Sequence, residues 1–367
     1  MKITCFKADL LGGIRIALRA VPSKTTMPIL ESFLIDASGE EIKIITNDND
    51  MGIETAVIGT IDDPGKIAVD AKIFSEIIGK LPENIVTIET DANLKVKITC
   101  EETKFDISGN DAEEFPELPD AEEENKIVMS QFTLKELIRQ TIFSIAQNDN
   151  NSIMRGELFE VKGDMIKIVS LDSHRISIRN EKLNEVYKDE SVIVPGKTLT
   201  EISRILTGEK NQEVEIIFDK RFIKFCFDYT IVVSRLIEGE YFNVERMISN
   251  DYSTAIKINK NALLHEVDRA ITLTKESEKK PIIMEIKDGE MNVSLTSSIG
   301  SMNGHIEIYK EGKDQVIGFN PRFFIEALKV IDDDEISIYF VNSNAPCFIC
   351  NDTGSYIYII LPVNINR

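Results

Sequence analysis

Val69-Asp70-Ala71-Lys72-Ile73-Phe74-Ser75-Glu76-Ile77-Ile78-Gly79-Lys80-Leu81 is a stretch that this chain writes three times. The second copy is Val194-Pro195-Gly196-Lys197-Thr198-Leu199-Thr200-Glu201-Ile202-Ser203-Arg204-Ile205-Leu206, and the third is Phe319-Asn320-Pro321-Arg322-Phe323-Phe324-Ile325-Glu326-Ala327-Leu328-Lys329-Val330-Ile331. They open at positions 69, 194 and 319, 125 residues apart each time. Each begins on an apolar strand end and continues as an amphipathic helix. Asp70, Pro195 and Asn320-Pro321 are helix-start residues. In the first copy Ile73, Phe74, Ile77, Ile78 and Leu81 fall on one face at helical spacing. The opposite faces carry Lys72 and Lys80, Lys197 and Arg204, Arg322 and Lys329. A period this long exceeds the roughly 20–50 residues of a solenoid repeat, so the repeated object is a domain.

The rest of the chain follows the same rhythm. Each third starts with a short strand and a first helix, expected at residues 8–20, 134–146 and 262–274. A three-strand meander follows each helix, with hairpin turns at Ser38-Gly39, Lys162-Gly163-Asp164 and Asp288-Gly289. In the first third its last strand is expected at 53–61. The repeated strand–helix stretch and a second meander complete the unit. Alternation of Val86 and Ile88, and of Val96 and Ile98, marks half-buried strands. The domains are expected at 1–120, 128–249 and 250–367, with 121–127 as a linker. The acidic stretch around that linker reads as a solvated connector. Residues 239–253 hold Tyr241, Phe242, Val244, Met247 and Ile248, too apolar for a plain linker.

The 367 residues are 43% hydrophobic and 28% charged, as in ordinary globular domains. No apolar run is long enough to span a membrane and no secretory signal opens the sequence, so a cytoplasmic location is expected. Five scattered cysteines fit buried thiols better than disulfides. Cys347 and Cys350 have CxxC spacing without a second pair, so no metal is expected. The net charge of −20 argues against gripping nucleic acid by bulk attraction.

No catalytic set or cofactor motif emerges: there is no glycine-rich phosphate loop and no GxSxG, and the three histidines, His174, His265 and His305, share no metal-ligand spacing. The densest polar cluster is Asp172-Ser173-His174-Arg175. Read as a strand end, it would place Asp172 and His174 on one face and Ser173 on the other. One alternative reading is thus a cytosolic hydrolase using Asp172, His174 and Arg175; another is a repeat scaffold that binds proteins and not DNA. The plain reading is a polar turn beside a packed interface.

Four motifs, in order, carry a resemblance over the whole chain. They are Met27-Pro28-Ile29-Leu30, Ser170-Leu171-Asp172-Ser173-His174-Arg175-Ile176, Ser234-Arg235-Leu236-Ile237-Glu238-Gly239 and Ile359-Ile360-Leu361-Pro362-Val363. With the threefold plan, they make the chain resemble the bacterial sliding clamp, the beta subunit of DNA polymerase III. The resemblance implies an α+β protein of three similar clamp domains, each with two helices on antiparallel sheets. It further implies a head-to-tail homodimer ring with no catalytic activity, threaded by duplex DNA. The ring would tether the replicative polymerase to its template. Topology would then hold the DNA, and modest positive charge on hole-facing helices would suffice.

The same resemblance assigns residues. DNA contacts fall to Lys24, Lys72, Lys80, Asn148, Lys197, Arg204 and Lys275, with Arg15, Arg19, Lys135, Arg139 and Arg269 on the first helices. A groove for short linear motifs of polymerase subunits, the clamp loader and repair proteins falls to Met154, Leu171, Ser173, His174, Arg175, Ile176, Phe242, Arg246, Met247, Asn320, Phe323, Pro346, Ile359, Leu361, Pro362 and Val363. His174, Arg175 and Arg246 are expected to rim it and bond the peptide. The dimer interface falls to Phe105 and Ile107 on one chain and Ile271 and Leu273 on the other. Three positions depart from the family pattern: Asp172-Ser173-His174-Arg175 stands for DGHR, Phe242 for a proline, and Leu361-Pro362-Val363-Asn364 for MPMR.

Overall fold

The computed structural model describes residues 1–121, 125–146, 151–248, 251–274 and 280–365. Among the described residues six α-helices come in pairs, one pair per repeat: α1 Lys7–Ala17 and α2 Ala71–Lys80, α3 Gln131–Arg139 and α4 Gly196–Ile205, α5 Lys260–Ile271 and α6 Pro321–Val330. The starts of α2, α5 and α6 are set by side-chain caps. Asp70 accepts from the Ile73 N–H at 2.7 Å, Asn259 from Ala262 at 2.9 Å, and Asn320 from Arg322 at 3.1 Å, with Pro321 at the first turn. In α2, Phe74, Ile77 and Ile78 are buried while Lys72 and Lys80 are exposed, as the helical spacing requires, but Ile73, expected on the apolar face, is 51% exposed.

The chain forms two compact units. The first comprises Met1–Lys135 and Thr200–Leu236. It holds a five-stranded sheet, in the order Gly59–Asp63, Lys2–Phe6, Ile85–Thr90, Lys95–Cys100, Thr103–Ser108, and an eight-stranded sheet. In the latter, Met51–Val57 of the first repeat pairs with Thr230–Arg235 of the second. The Thr55 and Thr230 hydroxyls meet across that seam at 2.9 Å. The second unit comprises Glu136–Leu199 and Ile237–Arg367. Its seven-stranded sheet joins the second repeat's Arg175–Pro195 to the third repeat's Tyr356–Ile360, from Arg175↔Ile360 to Arg179↔Tyr356. Its four-stranded sheet ends on the edge strand Ser301–Glu307. The second repeat therefore gives strands to both units.

Four expectations need correction. The first helices are shorter than the apolar periodicity suggested: α1 tightens into a 3-10 turn at Leu18–Ala20, and α3 ends at Arg139 before a separate 3-10 turn at Ile142–Ser144. The third-repeat helix begins two residues early, at Lys260, because Asn259 supplies its cap. The strand expected at 53–61 is two strands, Met51–Val57 and Gly59–Asp63, which belong to different sheets. Residues 172–174 are a turn, not a strand end, so strand alternation does not apply to them. The hairpin at Gly163 is as expected, with φ +59, a value that favours glycine.

Candidate peptide groove and nucleic-acid interface

The turn at 172–174 is made by Asp172. Its Oδ1 accepts from the backbone N–H of His174 at 2.7 Å and of Arg175 at 3.0 Å, an Asx turn joining Gly156–Leu171 to Arg175–Pro195. Ile176 pairs with Leu171 on one side and Ile359 on the other, which makes an aliphatic floor. Beyond Ile360 the Leu361 N–H donates to the His174 carbonyl at 2.9 Å, drawing the C-terminal strand along the turn. Two 3-10 turns, Ser152–Arg155 and Val244–Met247, bring Met154 and Met247 to the same place. Tyr241 fixes the connector, its hydroxyl donating to the carbonyls of Val169 at 3.1 Å and Gly156 at 3.3 Å. Phe242 follows, 52% exposed.

These residues enclose a cavity of about 210 Å³ lined by Met154, Leu171, Ile176, Met247, Ile359 and Leu361, with Asp172, Ser173, His174, Arg175 and Phe242 completing the wall. It is below the roughly 300 Å³ where small-molecule pockets begin and suits one or two apolar side chains. Phe323 lies beside it, its ring 5.8 Å from the His174 ring. The other expected groove residues do not line the cavity. Arg246 is exposed on its 3-10 turn, Asn320 caps α6, and Pro346 and Pro362 are half-buried nearby in sequence to lining strands. Val363 bridges antiparallel to Gly318.

Arg175 differs from its expected role. Its side chain is only 10% exposed. Nε donates to Asp172 Oδ2 at 3.1 Å, Nη2 to the Phe143 carbonyl at 2.6 Å, and Nη1 to Glu326 of α6. The guanidinium also lies 4.6 Å from the Phe323 ring centre and 5.4 Å from that of Phe143. It braces the wall through all three nitrogens. Sequence reading missed Glu326 as its partner. The hydrolase reading also fails here: Asp172 is engaged by the turn and Arg175, while His174 rests against Phe323.

Burial, not charge, governs the most strongly shifted ionisable groups. Glu157 is fully buried and neither carboxylate oxygen finds a hydrogen-bond partner. Desolvation pushes it up to about 8, the nearby Thr141 hydroxyl being given to the Leu137 carbonyl at 2.7 Å instead. Burial likewise pushes the Cys5 thiol up to about 12 and Cys350 to about 11, and raises Cys347. Such thiols are poor metal ligands. Among the described residues no cluster suits a metal ion, and no helix is long and apolar enough to cross a membrane.

Of the expected DNA-facing cations, Lys24 in the loop after α1, Lys72 and Lys80 on α2, and Lys197 and Arg204 on α4 are exposed, whereas Lys135 and Arg139 on α3 are half-buried, Lys135 donating to the Leu206 carbonyl at 2.8 Å. Asn148 and Lys275 lie outside the described residues. Phe105 and Ile107 sit half-buried on Thr103–Ser108, the edge of the five-stranded sheet, and pack on their own core. Ile271 and Leu273 are half-buried at the end of α5, against the third repeat's core.

Family comparisons agree with this architecture. Models of the N-terminal, central and C-terminal domains of the DNA polymerase III beta subunit match residues 1–119, 128–243 and 245–364. The beta sliding clamp of Bacillus subtilis is 33% identical, over 99% of both chains. A crystal structure of the DNA polymerase sliding clamp from that organism has a TM-score of 0.96 at 32% identity, covering 100% of this chain and 99% of the other. A crystal structure from Eubacterium rectale assigned to the beta subunit has a TM-score of 0.98 at 56% identity, covering all of both chains. The three-domain architecture and the whole-chain matches establish that this chain belongs to the DNA polymerase III beta subunit family, the bacterial sliding clamps.

Proposed function

We propose that the chain is a processivity factor, a non-catalytic ring that encircles duplex DNA and tethers a replicative polymerase in the cytoplasm. The observation that carries this reading is the whole-chain match to sliding clamps over a threefold repeat of one domain. The domain limits at 1–120, 128–249 and 250–367 belong to the same proposal. So does closure by two copies, with Phe105 and Ile107 of one chain meeting Ile271 and Leu273 of the other. Both Thr103–Ser108 and Ser301–Glu307 are sheet edges within their own chain, and bare edges seek partners. The helix cations would face the DNA, and a net charge of −20 is tolerable because enclosure replaces affinity.

The apolar groove would take the short motifs of polymerase, clamp-loader and repair partners. An extended peptide placing two side chains there can reach about micromolar affinity, roughly −8 kcal/mol. Retention on DNA tests the central reading. The loaded protein should stay on a closed circle at moderate salt and leave when the circle is linearised. Tight binding to blunt duplex at physiological salt would refute it. Ile271→Ala with Leu273→Ala should give monomers by light scattering. Deleting 361–367 should abolish anisotropy with a labelled polymerase motif peptide while the dimer persists.

A further inference from the structure

Three of the six helices repeat one ion pair. Glu136–Arg139 on α3, Glu201–Arg204 on α4 and Glu266–Arg269 on α5 are each three residues apart, and successive glutamates are 65 residues apart. Each time the glutamate is the more buried member: Glu201 is 16% exposed against 53% for Arg204, and Glu266 13% against 60% for Arg269. Arg139 Nε reaches both Glu136 oxygens at 3.0 Å, and its Nη2 also donates to Asp332 Oδ2 at 2.8 Å. Arg204 Nη1 donates to Glu201 Oε1 at 2.6 Å, and the other Glu201 oxygen takes Arg19 Nη1 at 3.5 Å. Arg269 Nε donates to Glu266 Oε2 at 3.3 Å, with a second contact through Nη2.

Glu266 is seated by its surroundings. A Cβ at Gly304, on the strand Ser301–Glu307, would collide with its Oε2, so the glycine leaves room for the carboxylate. These glutamates also hold Arg139 and Arg269 above the ordinary arginine range, through the hydrogen bond first and charge second. Three helix lysines behave differently. Lys72, Lys80 and Lys329 have no partner among the described residues, although Glu76 lies four residues from both Lys72 and Lys80 and Glu326 lies three before Lys329. Glu326 is turned to Arg175 instead.

We infer that Glu136, Glu201 and Glu266 attenuate the DNA-facing charge, occupying Arg139, Arg204 and Arg269 so that duplex phosphates are met by the remaining lysines and arginines. This rests on the proposed DNA-facing role of the helices. An arginine fork binds phosphate through two parallel hydrogen bonds, whereas a lysine ammonium acts as a point charge free to change partner. A carboxylate already in the fork removes the stickier contact and leaves a surface that slides. Helix support alone would leave DNA affinity unchanged.

The test uses the full-length dimer and a labelled 30-base-pair duplex, with anisotropy read across a salt series. The triple variant Glu136→Gln, Glu201→Gln, Glu266→Gln should bind about tenfold or more tightly at low salt. Its salt dependence should steepen, since each phosphate newly neutralised adds about 0.9 to the slope of log affinity against log salt. Unchanged affinity and slope in a folded triple variant would overturn the inference. A companion lacking both members of each pair, Glu136→Gln, Glu201→Gln and Glu266→Gln together with Arg139→Gln, Arg204→Gln and Arg269→Gln, should shift affinity by less than about twofold, because each pair is neutral as a unit. A tenfold loss there would equally overturn it, and this variant decides the matter if the first does not fold. Lys72→Ala with Lys80→Ala should weaken binding. If it does not, the DNA-facing reading of the helices fails, and the attenuator with it.

Discussion

Arg175 and Arg204 make the same ion pair in opposite settings. Arg175 is 10% exposed, uses all three guanidinium nitrogens, and joins the second repeat to α6 of the third. Arg204 is 53% exposed and pairs with Glu201 one helical turn away. Water already solvates the second, so its pair adds little to stability. The first has surrendered its hydration, and every partner removed leaves a poorly compensated charge. Burial therefore decides whether an arginine braces the fold or tunes a surface.

The largest effect should come from the buried member. Arg175→Ala should cost about 3 kcal/mol, because it strands Asp172 and the Phe143 carbonyl and opens a gap beneath Phe323. Thermal unfolding checks it, and motif-peptide binding should fall in parallel because the turn at 172–174 loosens. An unchanged melting temperature would mean the brace carries no stability.

A second contrast lies a few residues away, at Glu157, which burial holds neutral instead of paired. The ordinary value of 4.5 in the unfolded chain rises to about 8 in the folded one. The folded state therefore keeps a proton that the unfolded state has lost. Its stabilising contribution is complete below about pH 4.5 and declines as pH rises to about 8, at up to ~1.4 kcal/mol per pH unit. Glu157→Gln should flatten denaturation midpoints across that window and give a more stable protein at pH 8. Parallel pH profiles for the two proteins would show that water reaches the carboxylate.

The smallest effect belongs to the exposed pair. Arg204→Gln should change stability by ~0.3 kcal/mol, the usual worth of an exposed pair at this helical spacing. A loss as large as that at Arg175 would erase the distinction between the two arginines.

How far the sequence disclosed these sites follows from how local their causes are. Asp70, Asn320 and Pro321 announce α2 and α6 because a cap acts within three residues. Lys72 and Lys80 are exposed as their spacing demands. The groove's residues were named through a family resemblance, since Met154, Leu171 and Leu361 converge only through sheet pairing over long separations. The brace was not legible: Glu326 lies 151 residues from Arg175. The turn at Asp172 was read as a strand end because nothing in Leu171-Asp172-Ser173 breaks the extended pattern, yet the carboxylate captures two backbone N–H groups. The break at Ile58 was hidden by apolar residues on both sides, although the strands it separates enter different sheets.

The seam between Met51–Val57 and Thr230–Arg235 has a consequence for heredity as well as for folding. The unit that was copied to build this gene is not a unit that can be moved. A repeat lifted from the chain would carry a raw strand edge where Thr55 now faces Thr230, or where Arg179 faces Tyr356. Inheritance could triplicate the module, but pairing across its borders then bound the copies into one object. Recombination that swaps a single repeat between relatives should fail more often than exchange that keeps each ladder whole.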